Sequence, residues 1–248
     1  MRLLDLTLPS DAENLALDEA LLDEAERVGQ GGEVLRLWEP QRPMVVVGRS
    51  TNIEAEVRRD ACRRLGIPIF RRVSGGAAIL TGPGCLMYAI VLERHARGGQ
   101  LAGEHAHRFV LGKMSAALGG RAAGLCCRGT SDLALADRKV SGNSLRLKRD
   151  HLLYHGTLLY GFPLALIERC LAMPPRMPDY RRRRSHGEFM VNLPLSAGEI
   201  RRGVIAAWNA VEPYPDWPRD RTAGLAAEKY AQPQWNENSR SATAPFRA

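Results

Sequence analysis

Four short segments place a charged or reactive side chain beside residues too small to obstruct a ligand. Lys139 stands just before Ser141-Gly142-Asn143. A compact cation, a hydroxyl and a flexible main chain therefore lie together. Such a lysine can polarise an acyl-phosphate carbonyl or bind its phosphate; a lone strand lysine is otherwise a solvated surface residue. Arg71-Arg72-Val73-Ser74-Gly75-Gly76-Ala77-Ala78 joins two arginines to a run of small residues. Adjacent N–H groups there can hold an anion, and guanidinium groups add charge-assisted hydrogen bonds to phosphate or carboxylate. A Gly-Gly pair between strands is equally a tight turn. Asp132 follows Gly129-Thr130-Ser131, where it can close a turn or hold Mg²⁺ on a phosphate. His155-Gly156-Thr157 can line the same site, or His155 can be a structural histidine.

These segments need elements to position them. The stretch 1–8 alternates enough for a first strand. Ser10 or Asp11 can cap a helix over 11–27 with a broad apolar face from Leu15, Leu17 and Ala20 to Leu22. Strands are expected at 33–40, 43–50 and 67–74, a further strand at 77–80, and a strongly apolar one at 85–92. A helix is expected over 54–65, ended by Gly66, and others over 101–118, 163–173 and 197–210. Residues 131–137 alternate at period two, with 139–147 as a hairpin partner and 151–161 as a further strand. The Arg- and Pro-rich stretch 176–188 reads as a loop. Strands come in runs with helices between them, so the fold class is α+β with a mixed, largely antiparallel sheet. No strand leads into GxGxxG, and there is no P-loop and no GxSxG elbow.

The chain has 248 residues and a net charge of +8 from 35 Lys and Arg against 27 Asp and Glu. That size suits one large domain. A basic balance suits an acidic partner: nucleic acid, nucleotide phosphate, an acidic protein domain or anionic lipid. The arginines are also scattered, as composition alone would leave them. Five cysteines without a CxxC pair argue against a disulfide framework or a zinc site. No signal-peptide core is visible, and no apolar run approaches the roughly 18 residues of a membrane span. The default is a cytoplasmic protein with no membrane contact. The last ten residues, 239–248, are expected to be a disordered tail.

Taken in order, the motifs bear a resemblance. NLALDEALL (14–22), VVVGRSTNIEAEV (45–57), RRVSGGAAIL (71–80), SDLALADRKVSGNS (131–144), HGTLL (155–159), FMVNL (189–193) and EKYAQPQWNEN (228–238) resemble the lipoate–protein ligase and lipoyl/octanoyl transferase family. The resemblance spans about 1–238. It implies one α+β catalytic domain akin to the class II synthetase core and to biotin–protein ligase. It implies ATP and Mg²⁺ as cofactors, lipoate as substrate, lipoyl-AMP as intermediate and a lysine of a lipoyl-domain carrier protein as acceptor. By matching position, Arg71, Ser74, Gly75, Gly76 and Ala77 would surround the acyl-adenylate. Asp132 would sit near phosphate and Mg²⁺. Lys139 would contact the acyl carbonyl and phosphate, and Ser141, Gly142, Asn143, His155, Gly156 and Thr157 would line the pocket.

Three departures from the family pattern stand out. Ala77 replaces the third glycine of its SGGG stretch. Thr81-Gly82-Pro83-Gly84-Cys85 replaces a His-Asp-x-Gly-Asn run. No C-terminal accessory domain is expected, which leaves activation by a separate small subunit, by this domain alone, or transfer of a preformed acyl group. An octanoyl or lipoyl transferase is the alternative, with Cys85, Cys126 and Cys127 as candidate acyl carriers. A different class is a non-catalytic nucleic-acid binder using the run RMPDYRRRR (176–184); the same run could instead steer an acidic carrier domain.

Overall fold

The fold was obtained as a computed structural model, which describes residues 1–96 and 101–237. The expected tail, 239–248, lies outside the described residues. Eleven strands are present among the described residues: β1 (Arg2–Asp5), β2 (Val34–Trp38), β3 (Met44–Val47), β4 (Ile69–Arg71), β5 (Ile79–Thr81), β6 (Cys85–Glu93), β7 (Leu125–Arg128), β8 (Asp132–Leu135), β9 (Arg138–Leu147), β10 (His151–Leu159) and β11 (Glu212–Pro213). Eight form one sheet in the order β11-β1-β2-β6-β10-β9-β8-β7. Only the β11–β1 and β1–β2 pairs are parallel. The other three form a small sheet, β4-β3-β5, with β3 parallel to β4 and antiparallel to β5. The sheet is thus mixed and largely antiparallel, as the run of strands implied.

Among the described residues nine α-helices cover the sheets: α1 (Asp11–Val28), α2 (Ile53–Glu56), α3 (Arg59–Arg64), α4 (Gly103–Gly119), α5 (Ala165–Cys170), α6 (His186–Phe189), α7 (Ala197–Trp208), α8 (Arg219–Leu225) and α9 (Pro233–Asn236), with a π-helical turn at Ala226–Tyr230 following α8. No helix among the described residues is long and apolar enough to cross a membrane. Ser10 caps α1 by accepting from Glu13 N. Ser196 caps α7 in a capping box with Glu199, which satisfies two otherwise unpaired N–H groups.

The central strands are buried on both faces, which is why β6 reads as an unbroken apolar run from Cys85 to Leu92, while β10 is interrupted only where His155, Gly156 and Thr157 meet the site. Leu86, Tyr88, Ile90 and Leu92 pack with Leu152, Tyr154 and Leu158 against α4 and α7. The intervening residues point the other way. Cys85 and Met87 join β3 and its neighbours, while Ala89, Val91 and Leu153 pack against Leu17, Leu21 and Leu22 of α1. Period two therefore assigns His155 and Thr157 of β10 and Arg36 of β2 to the α1 face.

Several expectations need correction. The helix expected over 54–65 is broken into α2 and α3, because Val57 pairs with Leu171 in an isolated β-bridge. Arg58 N donates to Cys170 O, and Ala172 N to Glu56 O. The same pairing stops α5 short of the expected 163–173. β7 (LCCR) was not expected; it pairs along one side only, at the sheet edge. The stretch 176–188 is not a plain solvated loop. It holds a 3₁₀ turn at Asp179–Arg181 and α6, whose cap is a Ser185–Glu188 box. Arg181 is buried.

Candidate functional site

A cavity of about 400 Å³ opens between α1, the small sheet and β9–β10. Leu15, Val46, Ile79 and Met87 supply apolar wall; Asp18, Arg72, Asp132, Lys139, Asn143 and His155 supply polar groups. A second, smaller compartment of about 120 Å³ shares Lys139, Gly142, Thr157 and Ala77–Ile79 with the first. It continues under α5 and α6 to Leu80, Leu159, Leu171, Arg181, His186 and Phe189. The two meet at Lys139.

Lys139 reaches the cavity through a bulge. Between β8 and β9 the register passes from Leu133↔Ser141 to Ala134↔Lys139, which leaves Val140 as an extra residue. A bulge re-aims the side chains around it. The Lys139 ammonium lies 2.7 Å from Asp132 Oδ1. A Cβ on Gly142 would sit 2.9 Å from Lys139 Nζ, so the glycine is what lets the lysine tip occupy this place. Tyr180 OH donates to Asp132 Oδ2 at 2.8 Å. Burial and the Asp132 charge push the Tyr180 phenol well above its ordinary range.

Gly156 lets Asn143 lie flat across β10, because a Cβ there would overlap Asn143 Oδ1. That oxygen accepts from Tyr88 OH and from Ser141 Oγ, while Asn143 Nδ2 donates to Ser131 O. Ser141 is fully buried and supports Asn143 rather than lining the cavity. Thr157 Oγ1 accepts from Gly142 N.

The Ser-Gly-Gly segment is tied on every side. Arg49 N donates to Ser74 O, Thr51 Oγ1 to Gly76 O, and Ser144 Oγ to Gly75 O. Gly76 sits at φ +89, a conformation that favours glycine. The Gly75, Gly76 and Ala77 N–H groups donate to no other described residue, whereas Ala78 N is used by Glu56 Oε2. The two arginines of this segment do different things. Arg72 borders the cavity; its guanidinium donates to Val46, Gly75 and Ala77 carbonyls and to Ser74 Oγ. It has no direct carboxylate partner among the described residues, and burial lowers its pKa to about 10. Arg71, expected beside the ligand, points away. It is 1% exposed and donates to the carbonyls of Gly48, Thr51 and Trp235. Its own N–H reaches Asn236 Oδ1, and Trp235 Nε1 donates to its carbonyl. It is a pin, not a wall.

Ser74 is also withdrawn. Its Oγ lies 2.5 Å from His155 Nε2, and His155 Nδ1 lies 3.2 Å from Asp18 Oδ2. Arg36 Nη1 donates to Asp18 Oδ1 at 2.6 Å. Of the expected residues, Gly76, Ala77, Asp132, Lys139, Gly142, Asn143, His155, Gly156 and Thr157 border the cavity; Arg71, Ser74, Gly75 and Ser141 do not. Residues missed by sequence reasoning are Asp18, Val46, Met87, Arg176 and Arg181. Asp18 was detectable: it is an acid among the apolar residues of α1's buried face, one turn after Asn14. Neither compartment is lined by a cysteine. Cys62, Cys85 and Cys170 are buried, and burial pushes Cys85 up to about 12. Among the described residues no three His, Cys, Asp or Glu groups cluster to hold a metal. Both oxygens of Asp132 are engaged, so the donor set does not fit a resident Mg²⁺.

Comparisons with known proteins bear on this geometry. A family model described as the lipoyl protein ligase A/B catalytic domain matches residues 10–200. A probable lipoate-protein ligase A of Mycoplasma pneumoniae is 33% identical over 147 residues, 59% of this chain and 42% of that protein. An octanoyl-[GcvH]:protein N-octanoyltransferase of Kyrpidia tusciae is 34% identical over 168 residues, 59% of this chain and 56% of that protein. The chain thus spans about half the length of these curated relatives. Among solved structures, one of a bi-partite lipoate protein ligase system of Thermoplasma acidophilum superposes with a TM-score of 0.75 at 22% identity, covering 98% of each chain. A lipoate-protein ligase A bound with ATP gives 0.74 at 22% identity, covering 96% of this chain and 98% of that one. These structures share the fold. By its family match and by these likenesses, the chain belongs to the lipoyl protein ligase A/B catalytic-domain family, whose members include lipoate ligases and octanoyltransferases.

Proposed function

We propose that the chain is an ATP-dependent lipoate–protein ligase. The observation that carries this reading is Lys139, held by Asp132 where two compartments meet and where no thiol faces either one. Transfer through a cysteine thioester would need such a thiol. An acyl-adenylate route needs none, because AMP is itself the leaving group.

In the first step a lipoate carboxylate oxygen attacks the α-phosphorus of ATP. An O–P bond forms, the bond to the β-phosphate bridge breaks, and pyrophosphate leaves. In the second step a neutral lysine amine of the carrier attacks the acyl carbon. The C–N bond forms, the C–O bond to phosphate breaks, AMP leaves and the amine gives up a proton. Lys139 offers its ammonium to the carbonyl oxygen and the phosphate as charge builds there; one such donor contributes about 3–4 kcal/mol in related acyl transfers. The N–H groups of Gly76 and Ala77 hold phosphate or carboxylate oxygens, and Arg72 adds positive charge behind them. The acyl chain lies along Leu15, Val46 and Met87, and the nucleotide base under α5 and α6. Mg²⁺ arrives bound to the nucleotide phosphates as part of the substrate.

One observation favours a second reading, in which this chain only transfers a preformed acyl group. Where the family carries a histidine, Thr81 is fully buried and bonds Met87 Sδ rather than facing a nucleotide. The similar chain of a bi-partite system fits the same idea, with activation completed by a separate subunit. The test is mass spectrometry of a purified lipoyl-domain carrier incubated with this protein. Lipoate with ATP and Mg²⁺ should add a lipoyl group, and Lys139→Ala should abolish it. A shift with synthetic lipoyl-AMP alone would leave only transfer. A shift with octanoyl-carrier as donor, lost on thiol alkylation, would replace the ligase by a cysteine transferase.

A further inference from the structure

The four-arginine run 181–184 is divided by the backbone into two inward and two outward side chains. Arg181 Nε donates to Arg184 O, and Arg184 Nε donates back to Arg181 O, both at 3.0 Å. Arg184 Nη2 also reaches Tyr180 O and Asp137 O. Both guanidinium groups lie over the Phe189 ring, at 4.8 and 5.3 Å from its centre. The residues between them, Arg182 and Arg183, stand at φ 51 and 57. That is the left-handed region, costly for a residue with a side chain. Both are exposed, and neither meets a carboxylate among the described residues.

This turn sits at the cavity rim. Arg176, Met177 and Pro178 of the same segment line the cavity, and Tyr180 OH bonds Asp132. Arg176 is exposed there as well. Across 176–188 five arginines face two carboxylates, Asp179 and Glu188, and Glu188 is committed to the α6 cap. The rim is therefore a fixed, positively charged edge beside the proposed reaction centre.

We propose that the Arg182–Arg183 turn, with Arg176, is the docking surface for an acidic protein domain that carries the acceptor lysine. This rests on the ligase reading and names the surface its acceptor uses. The charge requirement is specific. The incoming lysine is a cation in water. Asp132 and Asp18 balance Lys139 and Arg72 inside the cavity, whereas Arg176, Arg182 and Arg183 stand exposed at the rim, so a free lysine is repelled there. A carrier with acidic surface beside its lysine offsets that repulsion and is steered to the rim. Nearby cations then favour the neutral, nucleophilic form of the amine once it enters.

Two double variants test this. R182E/R183E reverses the rim charge. R182G/R183G removes it while suiting the left-handed backbone, so it should melt at the same temperature or higher. Lipoyl transfer from synthetic lipoyl-AMP is followed to an acidic carrier domain and to a short uncharged peptide with one lysine, at low and high salt. Equilibrium binding of the carrier domain is measured separately from turnover. The glycine variant should lose roughly tenfold in kcat/KM on the carrier and the reversal variant more, with a flatter salt dependence. Transfer to the peptide should be unchanged. Equal kcat/KM on the carrier in all three proteins overturns the proposal, as does an equal loss on the peptide. Turn-dependent binding of a DNA duplex without binding of the carrier also overturns it. If the wild type binds the carrier through the turn but transfers nothing, the docking surface stands and the ligase reading fails.

Discussion

Gly142→Ala should separate the lysine's position from the stability of the fold. The glycine lies in β9 with no positive φ, so alanine fits the backbone. Its Cβ would meet only the end of Lys139, at 2.9 Å from Nζ and 3.0 Å from Cε. Ordinary carbon contacts begin near 3.5 Å, so the lysine tip must retreat by about half an ångström. The fold accommodates this easily, because a side-chain end moves and no backbone does. Alanine in a strand should even gain about 0.5–1 kcal/mol over glycine. The ammonium, however, leaves its place 2.7 Å from Asp132. A misplacement of about 1 Å can cost on the order of 100-fold, so half of that should slow transfer by roughly tenfold or more. The assay is single-turnover transfer from lipoyl-AMP to a carrier domain, alongside thermal unfolding. Lys139→Ala should lose about 100- to 1,000-fold, and adding Gly142→Ala to it should change nothing further, since the glycine acts through the lysine. A full rate in Gly142→Ala, or a further loss in the double variant, would refute the placement of Lys139 at the reacting atoms.

Arg71→Lys should lower stability by about 2–3 kcal/mol, read by chemical denaturation, because a lysine cannot reach the Gly48, Thr51 and Trp235 carbonyls together. Transfer rates at temperatures where it is folded should stay near those of wild type. Gly156→Ala drives a methyl into Asn143 Oδ1 and should cost about 1–3 kcal/mol of stability together with most of the activity. Burial lowers the His186 pKa from its ordinary 6.5. The unfolded chain therefore binds the proton first as pH falls, so stability should decline from about pH 6.5 down to the lowered value and be flat above it. His186→Gln should shrink that decline in denaturation midpoints measured at several pH values. Alkylation under native conditions should spare Cys85, whose thiol is held up to about 12, and should leave transfer intact.

The layout of the main sheet was readable because burial leaves a simple trace. β6 is covered on both faces and so is apolar from Cys85 to Leu92, and β10 is equally buried but breaks its apolar pattern at His155–Thr157, where the site lies. α1 carries a broad apolar face and a serine cap. The β8–β9 hairpin showed in its alternation. What escaped depends on contacts between distant residues. Val57 looks helical until Leu171 pairs with it. The Val140 bulge depends on how β8 and β9 twist together and has no residue type of its own. Arg71 and Arg72 are identical in sequence, yet one is spent on Trp235 and Asn236, more than 160 residues away, and the other borders the cavity. The motif pointed to the neighbourhood; only the fold says which of its side chains face inward.

That division explains why so many polar side chains of the site are spent on holding one another. Starting at β2, Arg36 fixes Asp18 on α1, Asp18 holds His155 on β10, and His155 meets Ser74, which accepts from Arg72. Arg72 in turn holds the carbonyls of Gly75 and Ala77. Two buried guanidinium groups and one carboxylate thus link the helix, the main sheet and the anion-facing segment by hydrogen bonds. Such a chain strengthens when every member is satisfied and fails as a unit when one is removed. Asp18→Asn keeps the shape of the residue but removes the charge between Arg36 and His155. It should therefore disturb the Ser-Gly-Gly segment across the cavity, although Asp18 lies on a different element. The Gly76 and Ala77 N–H groups, which donate to no other described residue, stay aimed because five linked side chains cannot rearrange one at a time.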